Sequence, residues 1–309
     1  MEAFLNNLYD ETVKVHGSNY NSARKDKLKG QFQKRLGTFN HSDEIPKSTV
    51  LEEEEDMGTY TRKRIEIDTV GSLKMAVYVL IPKYKKNKKL PAVLAIHGHG
   101  YGSREVVGLN PDGSVRNDEG YHKNFAISLV EKGMIVYAPE LIGFGDRRLK
   151  EEVQGDNPNA SSCYMMASQL MLMGKTLAGL RVAECHRLID YAVASDIVDS
   201  NRIGMMGISG GGLVTAFSSI LDDRIKATVI SGYTNTFKGS IMSIYHCLDN
   251  FIPGILETAE MPDLIGLIAP RPLFIEAGKA DPIFPIDHVE EAVNQLNEIY
   301  QAHQVLHML

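Results

Sequence analysis

The sequence predicts an α/β protein built on a mostly parallel central sheet with helices on both faces. Its short apolar runs, among them residues 91–96, 134–138 and 226–230, alternate with longer helix-like stretches. Parallel strands that are buried on both faces have this kind of continuous apolar run. The repeated strand–helix order places the strands side by side and the helices over them.

The individual elements are predicted in chain order from local patterns. Residues 1–60 form a polar, partly helical extension with a surface helix at 21–37. Residues 61–309 form the main domain, which opens with a hairpin of two strands at 64–68 and 74–81 joined through Gly71 and Ser72. Further strands are expected at 91–96, 134–138, 202–206, 226–230 and 272–276, and a last one starts at 305–309. Helices are expected at 125–132, 165–194 and 289–300, and a cap insertion at 236–264.

Composition and charge indicate an ordinary soluble protein of the cytoplasm. The chain has 309 residues and a net charge of −6, which argues against a nucleic-acid partner. The basic run at 83–89 and the acidic run at 52–56 are typical of solvated surface. No apolar run approaches the roughly 20 residues of a membrane span, and the N-terminus does not resemble a signal peptide. We expect a small-molecule substrate and no membrane partner, and residues 1–60 offer an interface for a homo-oligomer.

The chain has three widely spaced cysteines, Cys163, Cys185 and Cys247. Their spacing fits neither a zinc site nor a disulfide framework. A small odd number of cysteines suits a reducing compartment. No cofactor and no metal are expected.

Ser209 is the candidate nucleophile. It lies in the pattern Gly207-Ile208-Ser209-Gly210-Gly211, between a strand-like run and a helix-like run. A serine hydroxyl is a weak nucleophile until it is exposed on a sharp turn and paired with a base. Three fixed positions carry little information alone, and the alternative is a tight strand-to-helix turn without catalytic meaning. The strand and helix on either side favour the nucleophile.

A second loop offers the backbone donors that acyl transfer requires. His97-Gly98-His99-Gly100 follows the strand at 91–96, and ligands in such sheets bind at the carboxyl ends of the strands. The two N–H groups that stabilise a developing oxyanion are therefore assigned to Gly210 and His99. Gly98 is the next candidate donor. The alternatives are a metal site on His97 and His99, for which no further ligands are evident, and hydrogen bonding within the loop.

Asp281 is the candidate acid. It follows the strand at 272–276 in a loop bounded by Gly278 and Pro282, at the same end of the sheet as Ser209. There it would orient an imidazole and stabilise its cation. The alternative is an Asp-Pro turn residue, and Asp249 and Glu276 are weaker substitutes.

These pieces together resemble the α/β-hydrolases of the dienelactone hydrolase and acetyl xylan esterase-like group. The matching segments are 97–100, 139–147, 207–213, 269–272 and 278–281. The resemblance covers about residues 60–309 and implies an α/β-hydrolase fold and a Ser-His-Asp esterase. Dienelactone hydrolases proper use a cysteine nucleophile, and this chain has Ser209, so that activity is not expected.

The triad order Ser, Asp, His does not by itself identify the histidine that acts as the base. The histidine should lie in a loop that follows a strand after Asp281, and the sequence stops within the predicted strand Val305–Leu309. His307 lies within that strand and is the base assigned here.

Other positions for the base compete with His307. In one alternative the C-terminus is truncated and the true triad histidine lies beyond Leu309. Alternatively, His246 in the cap insertion replaces it. His303 precedes the predicted strand, at the wrong end of the sheet, and His288 lies near a helix start.

Three functions follow from this sequence. The first is a hydrolase that cleaves carboxylic esters through an acyl-serine intermediate on Ser209. The second is a catalytically impaired hydrolase-fold protein that lacks the triad histidine and binds a ligand. The third is a metal-dependent hydrolase using His97 and His99.

Within the cap insertion, apolar residues line a substrate pocket or simply pack in the core. They are Ile241, Met242, Ile244, Tyr245, Phe251 and Ile252.

Overall fold

A computed structural model describes residues 1–13, 22–83 and 88–309. The start of the helix predicted at 21–37 and the centre of the basic run at 83–89 lie outside these residues. Eight strands are present in the described part: β1 Ser48–Asp56, β2 Tyr60–Asp68, β3 Lys74–Pro82, β4 Leu90–Ile96, β5 Ile135–Pro139, β6 Val198–Ile208, β7 Ile225–Ser231 and β8 Leu273–Glu276. The α-helices there are α1 Glu2–Val13, α2 Ser22–Leu36, α3 Phe125–Glu131, α4 Lys150–Val153, α5 Cys163–Leu172, α6 Leu177–Val193, α7 Gly210–Leu221, α8 Met261–Gly266 and α9 Ile286–Ala302.

The strands form one sheet in the order β1-β2-β3-β5-β4-β6-β7-β8. β1, β2, β3 and β5 pair antiparallel, and β5, β4, β6, β7 and β8 pair parallel. The predicted hairpin at Gly71 is confirmed by the β2–β3 register. The domain boundary predicted at residue 60 falls between β1 and β2, which pair in this sheet.

Helices cover both faces of the sheet, as the strand alternation predicts. On β3, Val77 and Val79 belong to one apolar cluster, together with α6 and α7, while Tyr78 and Leu80 belong to another. Successive strand residues point to opposite faces, so the second cluster, which contains Phe125 of α3, lies across the sheet. The α/β-hydrolase fold class is confirmed.

The helix predicted at the surface in residues 21–37 is more deeply placed than expected. Leu28, Phe32 and Leu36 are buried, and Phe32 packs edge-on against Phe217 of α7 with ring centroids 4.8 Å apart. Their spacing of four residues puts them on one helix face. That stripe is visible in the sequence, although the surrounding lysines obscure it.

The single helix expected at 165–194 is a wrong prediction. Two helices, α5 and α6, occupy this region. They are separated by a turn at Gly174, which has φ +69°. A glycine in this left-handed region commonly ends a helix, so Gly174 is the signal that the sequence analysis passed over.

The strand expected at Val305–Leu309 is also a wrong prediction. Residues Leu306–Met308 form a 3-10 helix, and the Leu309 N–H donates to the Leu306 carbonyl at 3.2 Å. Gln304 adopts φ +59°, and the Val305 N–H turns back to the Tyr300 carbonyl. The chain therefore ends α9 with a cap rather than entering the sheet. Val305 and Leu309 are partly buried and pack against the main apolar cluster.

Parallel strands bring their carboxyl ends to one edge of the sheet. The loops after β4, β6 and β8 carry His99, Ser209 and Asp281. Within the described part of the chain, no helix is long and apolar enough to cross a membrane.

Candidate active site at the carboxyl edge of the sheet

Ser209 forms a strained turn between β6 and α7. Its backbone has φ +54° and ψ −123°, a region that residues with a side chain rarely adopt. Small neighbours make the turn possible. A Cβ on Gly207 would lie 2.2 Å from the Gly211 carbonyl oxygen, and one on Gly211 would lie 2.3 Å from the Ile96 oxygen. The glycines of the motif are therefore required by close backbone approach.

Gly210 is the first residue of α7, so its N–H has no acceptor within the helix. The imidazole of His99 packs over it. A Cβ built on Gly210 would lie 3.1 Å from His99 Cε1 and Nδ1. The structure thus brings Gly210 and the His99 loop together beside Ser209.

The N–H of Gly98, which the sequence assigns as a further oxyanion donor, has a different role in the structure. Its N–H donates to His122 Nε2 at 2.8 Å, so this donor is occupied. The His122 side chain is fully buried, and its Nδ1 lies against a carboxylate oxygen of Glu105. The sequence analysis missed this pair, because neither residue belongs to a recognisable motif.

The pairing of His97 with His99 as metal ligands is wrong. His97 Nε2 accepts the Leu141 N–H at 3.0 Å, and Nδ1 lies 2.7 Å from the Gly98 carbonyl oxygen. Both ring nitrogens are therefore occupied within the protein. Burial lowers the pKa of His97 to about 3, so the side chain is a neutral structural histidine.

Asp281 lies in the loop after β8, where its Oδ1 accepts the N–H groups of Ile283 and Phe284 at 2.8 and 3.2 Å. Phe284 in turn lines a cavity beside Ser209. Glu276, a weaker substitute, is exposed at the end of β8. Asp249, the other substitute, is buried behind His99 in an ion pair with Arg181.

The cavity beside Ser209 has a volume of about 200 Å³. It is lined by His99, Ser209, Gly210, Ile244, Tyr245, His246, Cys247, Asn250, Ile283 and Phe284. A second, apolar cavity of about 520 Å³ lies under α1, and its lining includes Ile241, Met242, Phe251 and Ile252. The cap residues named from the sequence therefore divide between two cavities.

Of the candidate bases, His246 is the one that lines the cavity with Ser209. Its Nε2 lies 3.0 Å from Ser240 Oγ, and burial lowers its pKa. His288 is half-buried and paired with Glu291. Among the described residues, no hydrogen bond joins a histidine to Ser209 or Asp281.

The C-terminal candidates for the base depended on a strand at Val305–Leu309. His307 is exposed in the 3-10 helix that replaces this strand, so its predicted placement within the sheet is wrong. The suggestion of a triad histidine beyond Leu309 assumed that the same strand leads into the catalytic loop. Residues 305–309 do not form that strand. A histidine beyond Leu309 stays a prediction that residues 1–309 do not test.

A cluster that the sequence analysis did not anticipate lies directly behind His99. The ligand-type atoms of His99, Cys163, Cys247 and Asp249 all lie within 4.8 Å of one another. The cysteine spacing in the sequence does not indicate this grouping, which arises because α5 and the cap segment converge here. A hydrogen bond from Cys247 holds the pKa of the Cys163 thiol well below its ordinary value, and the charge of Arg181 acts in the same direction.

Arg181 of α6 supports this cluster from within the protein. Its Nη2 lies 3.1 Å from Cys163 Sγ, its Nη1 donates to Asp249 Oδ2, and its Nε and Nη2 donate to the Ile142 carbonyl. Burial raises the pKa of Asp249, but the charges of Arg181 and His99, together with hydrogen bonds from Cys247 and Arg181, lower it below the ordinary value.

The chain is similar to proteins of known sequence and structure. The Abhydrolase family model matches residues 17–307. The Bacillus subtilis (strain 168) protein named "Putative hydrolase YtaP" is 29% identical over 243 residues, which cover 76% of this chain and 74% of that protein.

Two solved structures share the fold. One, from Bacteroides fragilis NCTC 9343 and described as a "putative acetyl xylan esterase", has a TM-score of 0.77 at 18% identity, covering 91% of this chain and 72% of the other. A glucuronoyl esterase from Solibacter usitatus has a TM-score of 0.63 at 14% identity, covering 92% and 80%. With the family match extending over residues 17–307, around a sheet whose β6–α7 turn carries Ser209, this chain belongs to the Abhydrolase family.

Proposed function

We propose that this protein is a carboxylic-ester hydrolase that works through an acyl intermediate on Ser209. The observation that carries the proposal is the strained backbone of Ser209 at the start of α7, beside a cavity. Such strain persists only where the surrounding structure imposes it, and it clusters at functional sites. The family membership and the two esterases that share the fold support the same reaction class.

In the proposed reaction, Ser209 Oγ attacks the ester carbonyl carbon and a histidine accepts the hydroxyl proton. The N–H groups of Gly210 and His99 stabilise the oxyanion, and the same histidine protonates the departing alcohol. Water then releases the acid from the acyl-serine. Asp281 orients the imidazole. Gly98 is left out of this oxyanion site because its N–H is bonded to His122.

Variants of His246 and His307 distinguish which of these two histidines is the base. His246 shares the cavity with Ser209, which supports it as the base within the described chain. His307 remains the assignment made from triad order. We expect His246→Ala to reduce turnover by orders of magnitude if it is the base, whereas His307→Ala would do so in the other case. Full turnover in both variants would exclude both histidines as the base.

The size of the cavity supports a small acyl group. A volume of about 200 Å³, lined in part by Tyr245 and His246, suits acetyl better than a long chain. We therefore expect p-nitrophenyl acetate to be cleaved with a higher kcat/KM than p-nitrophenyl octanoate. A reversed preference would assign the acyl group to the larger cavity under α1.

The central experiment compares wild-type protein with Ser209→Ala and with Ser168→Ala, a matched serine variant on α5. Activated-ester turnover and covalent labelling by a fluorophosphonate are measured on all three. We expect loss of both in Ser209→Ala and retention in Ser168→Ala. Equal turnover or labelling in Ser209→Ala would refute the mechanism.

A second candidate function is ligand binding by a catalytically impaired hydrolase fold. It is favoured by one observation, that no histidine of the described residues bonds to Ser209 or Asp281. In that case the wild-type protein would show neither an acylation burst nor stoichiometric fluorophosphonate labelling, while still binding an ester or its product.

A further inference from the structure

We propose that His99, Cys163, Cys247 and Asp249 form a binding site for one thiophilic divalent metal ion of the zinc class. The four groups come from three separate parts of the fold. His99 lies in the loop after β4, Cys163 begins α5, and Cys247 and Asp249 flank the start of the 3-10 helix Leu248–Asn250 in the cap. The site goes beyond the ester hydrolysis proposed above and does not depend on it.

The donor set has the chemistry of a zinc site. Two thiolates, one imidazole and one carboxylate are ligands that Zn²⁺ takes in tetrahedral geometry. Zinc bonds of about 2.0–2.3 Å place tetrahedral ligand atoms about 3.3–3.8 Å from one another. His99 Nε2 and Asp249 Oδ2 are 3.7 Å apart, and all four donor atoms lie within 4.8 Å. Only small side-chain movements are needed to close the tetrahedron.

The imidazole of His99 points a free nitrogen into this group. Its Nε2 is buried and has no well-formed hydrogen bond. A buried polar atom without a partner costs about 1–3 kcal/mol, so its persistence requires an explanation. A metal ion bonded to Nε2 supplies the missing partner.

Charge balance also favours a divalent ion at this position. Two thiolates and the Asp249 carboxylate carry three negative charges when they act as ligands. The buried guanidinium of Arg181 touches Cys163 and Asp249 and supplies one positive charge. A divalent cation supplies the remaining two, so the complete group is neutral, as a buried assembly requires.

Binding at this position would act on the neighbouring cavity. The Nδ1–Cε1 edge of the His99 ring packs over Gly210, so a metal on Nε2 fixes the ring and the loop beside Ser209. The same ion joins that loop to α5 and to the cap. The metal therefore acts as a positioning element for the cavity rather than as a group that touches the substrate.

The test uses reduced, metal-free protein titrated with Co²⁺, whose visible spectrum reports tetrahedral coordination. We expect one equivalent to bind, with intense visible bands and a sulfur-to-cobalt charge-transfer band in the near ultraviolet. Cys163→Ala/Cys247→Ala should lose these bands. Cys185→Ala, which removes a buried cysteine outside the cluster, should keep them. Zn²⁺ should displace the Co²⁺ and raise Tm in wild type and Cys185→Ala only.

A measurement without variants guards against a misfolded double variant. X-ray absorption of the zinc-loaded wild-type protein should give two sulfur ligands at about 2.3 Å and two nitrogen or oxygen ligands at about 2.0–2.1 Å. The proposal is overturned if fully reduced wild-type protein binds no stoichiometric Co²⁺, as it would if the two cysteines served only as a redox pair. It is equally overturned if the zinc shell contains no sulfur, or if the folded double variant binds as wild type does.

Discussion

His122 Nε2 accepts the Gly98 N–H at 2.8 Å, and on its other side Nδ1 lies against the Glu105 carboxylate. This buried arrangement fixes the loop that carries His99 one residue further on. A hypothetical Cβ on Gly98 would lie 3.2 Å from Ser209 Cβ, so the loop is packed directly on the candidate nucleophile. The pair therefore positions the backbone of the site without contacting a substrate.

We expect His122→Ala to lower kcat for an activated ester by about 10–100-fold, because small displacements of positioning groups cost this much. KM should change little, since the side chain does not enter the cavity. His122→Gln, which keeps an acceptor near Gly98, should recover part of the loss. Steady-state kinetics of both variants, at matched thermal stability, test the assignment. Equal kcat in His122→Ala and wild type would contradict it.

The glycines of the strained turn at Ser209 give a stability prediction. Gly211→Ala places a Cβ 2.3 Å from the Ile96 carbonyl oxygen, a backbone atom that cannot move aside cheaply. We expect a loss of about 1–3 kcal/mol in the free energy of unfolding, measured by urea denaturation. Gly30→Ala on α2 is the matched control. Nothing lies within 4 Å of its Cβ position, so it should stabilise by up to about 1 kcal/mol.

Much of this site could be predicted because its signals are local. The pattern around Ser209, the loop at His99 and the loop at Asp281 each follow a short apolar strand, and strand order alone brings them to one edge. The 3-10 turn between Val305 and Leu309 was not predictable from the same logic. A run of four apolar residues interrupted by His307 is compatible with a strand, and only the cap at Gln304 decides against it.

The cluster behind His99 could not be predicted, because its members share no local pattern. Cys163 and Cys247 are far apart in the sequence, and their approach depends on how α5 packs against the cap. The role of Arg181 was hidden for the same reason. An arginine within an amphipathic helix normally indicates solvent exposure, yet this guanidinium is buried.

The Arg181–Asp249 pair should be a major stabilising contact as long as both partners are present. Both side chains are about 1% exposed. Arg181→Met leaves the Asp249 carboxylate buried without its cation, which typically costs about 3–5 kcal/mol. Adding Asp249→Asn to this variant should restore part of the loss, because the unpaired charge is removed. Urea denaturation of wild type, Arg181→Met, Asp249→Asn and the double variant gives the coupling, and additive effects would refute it.

Stability should also depend on pH through Asp222, which accepts hydrogen bonds from Arg224 N, Nε and Nη2. Burial raises the pKa of Asp222, but the bonds from Arg224 outweigh burial and hold it below its ordinary value of 3.8. The unfolded chain therefore binds this proton first, so the contribution is present above pH 3.8 and is lost as the pH falls through the folded value. We expect about 1–2 kcal/mol, reduced by solvent because the Arg224 side chain is 41% exposed. Urea unfolding from pH 7 to pH 3 should show a shallower acid loss in Asp222→Asn, while Asp199→Asn at an exposed pair should follow wild type.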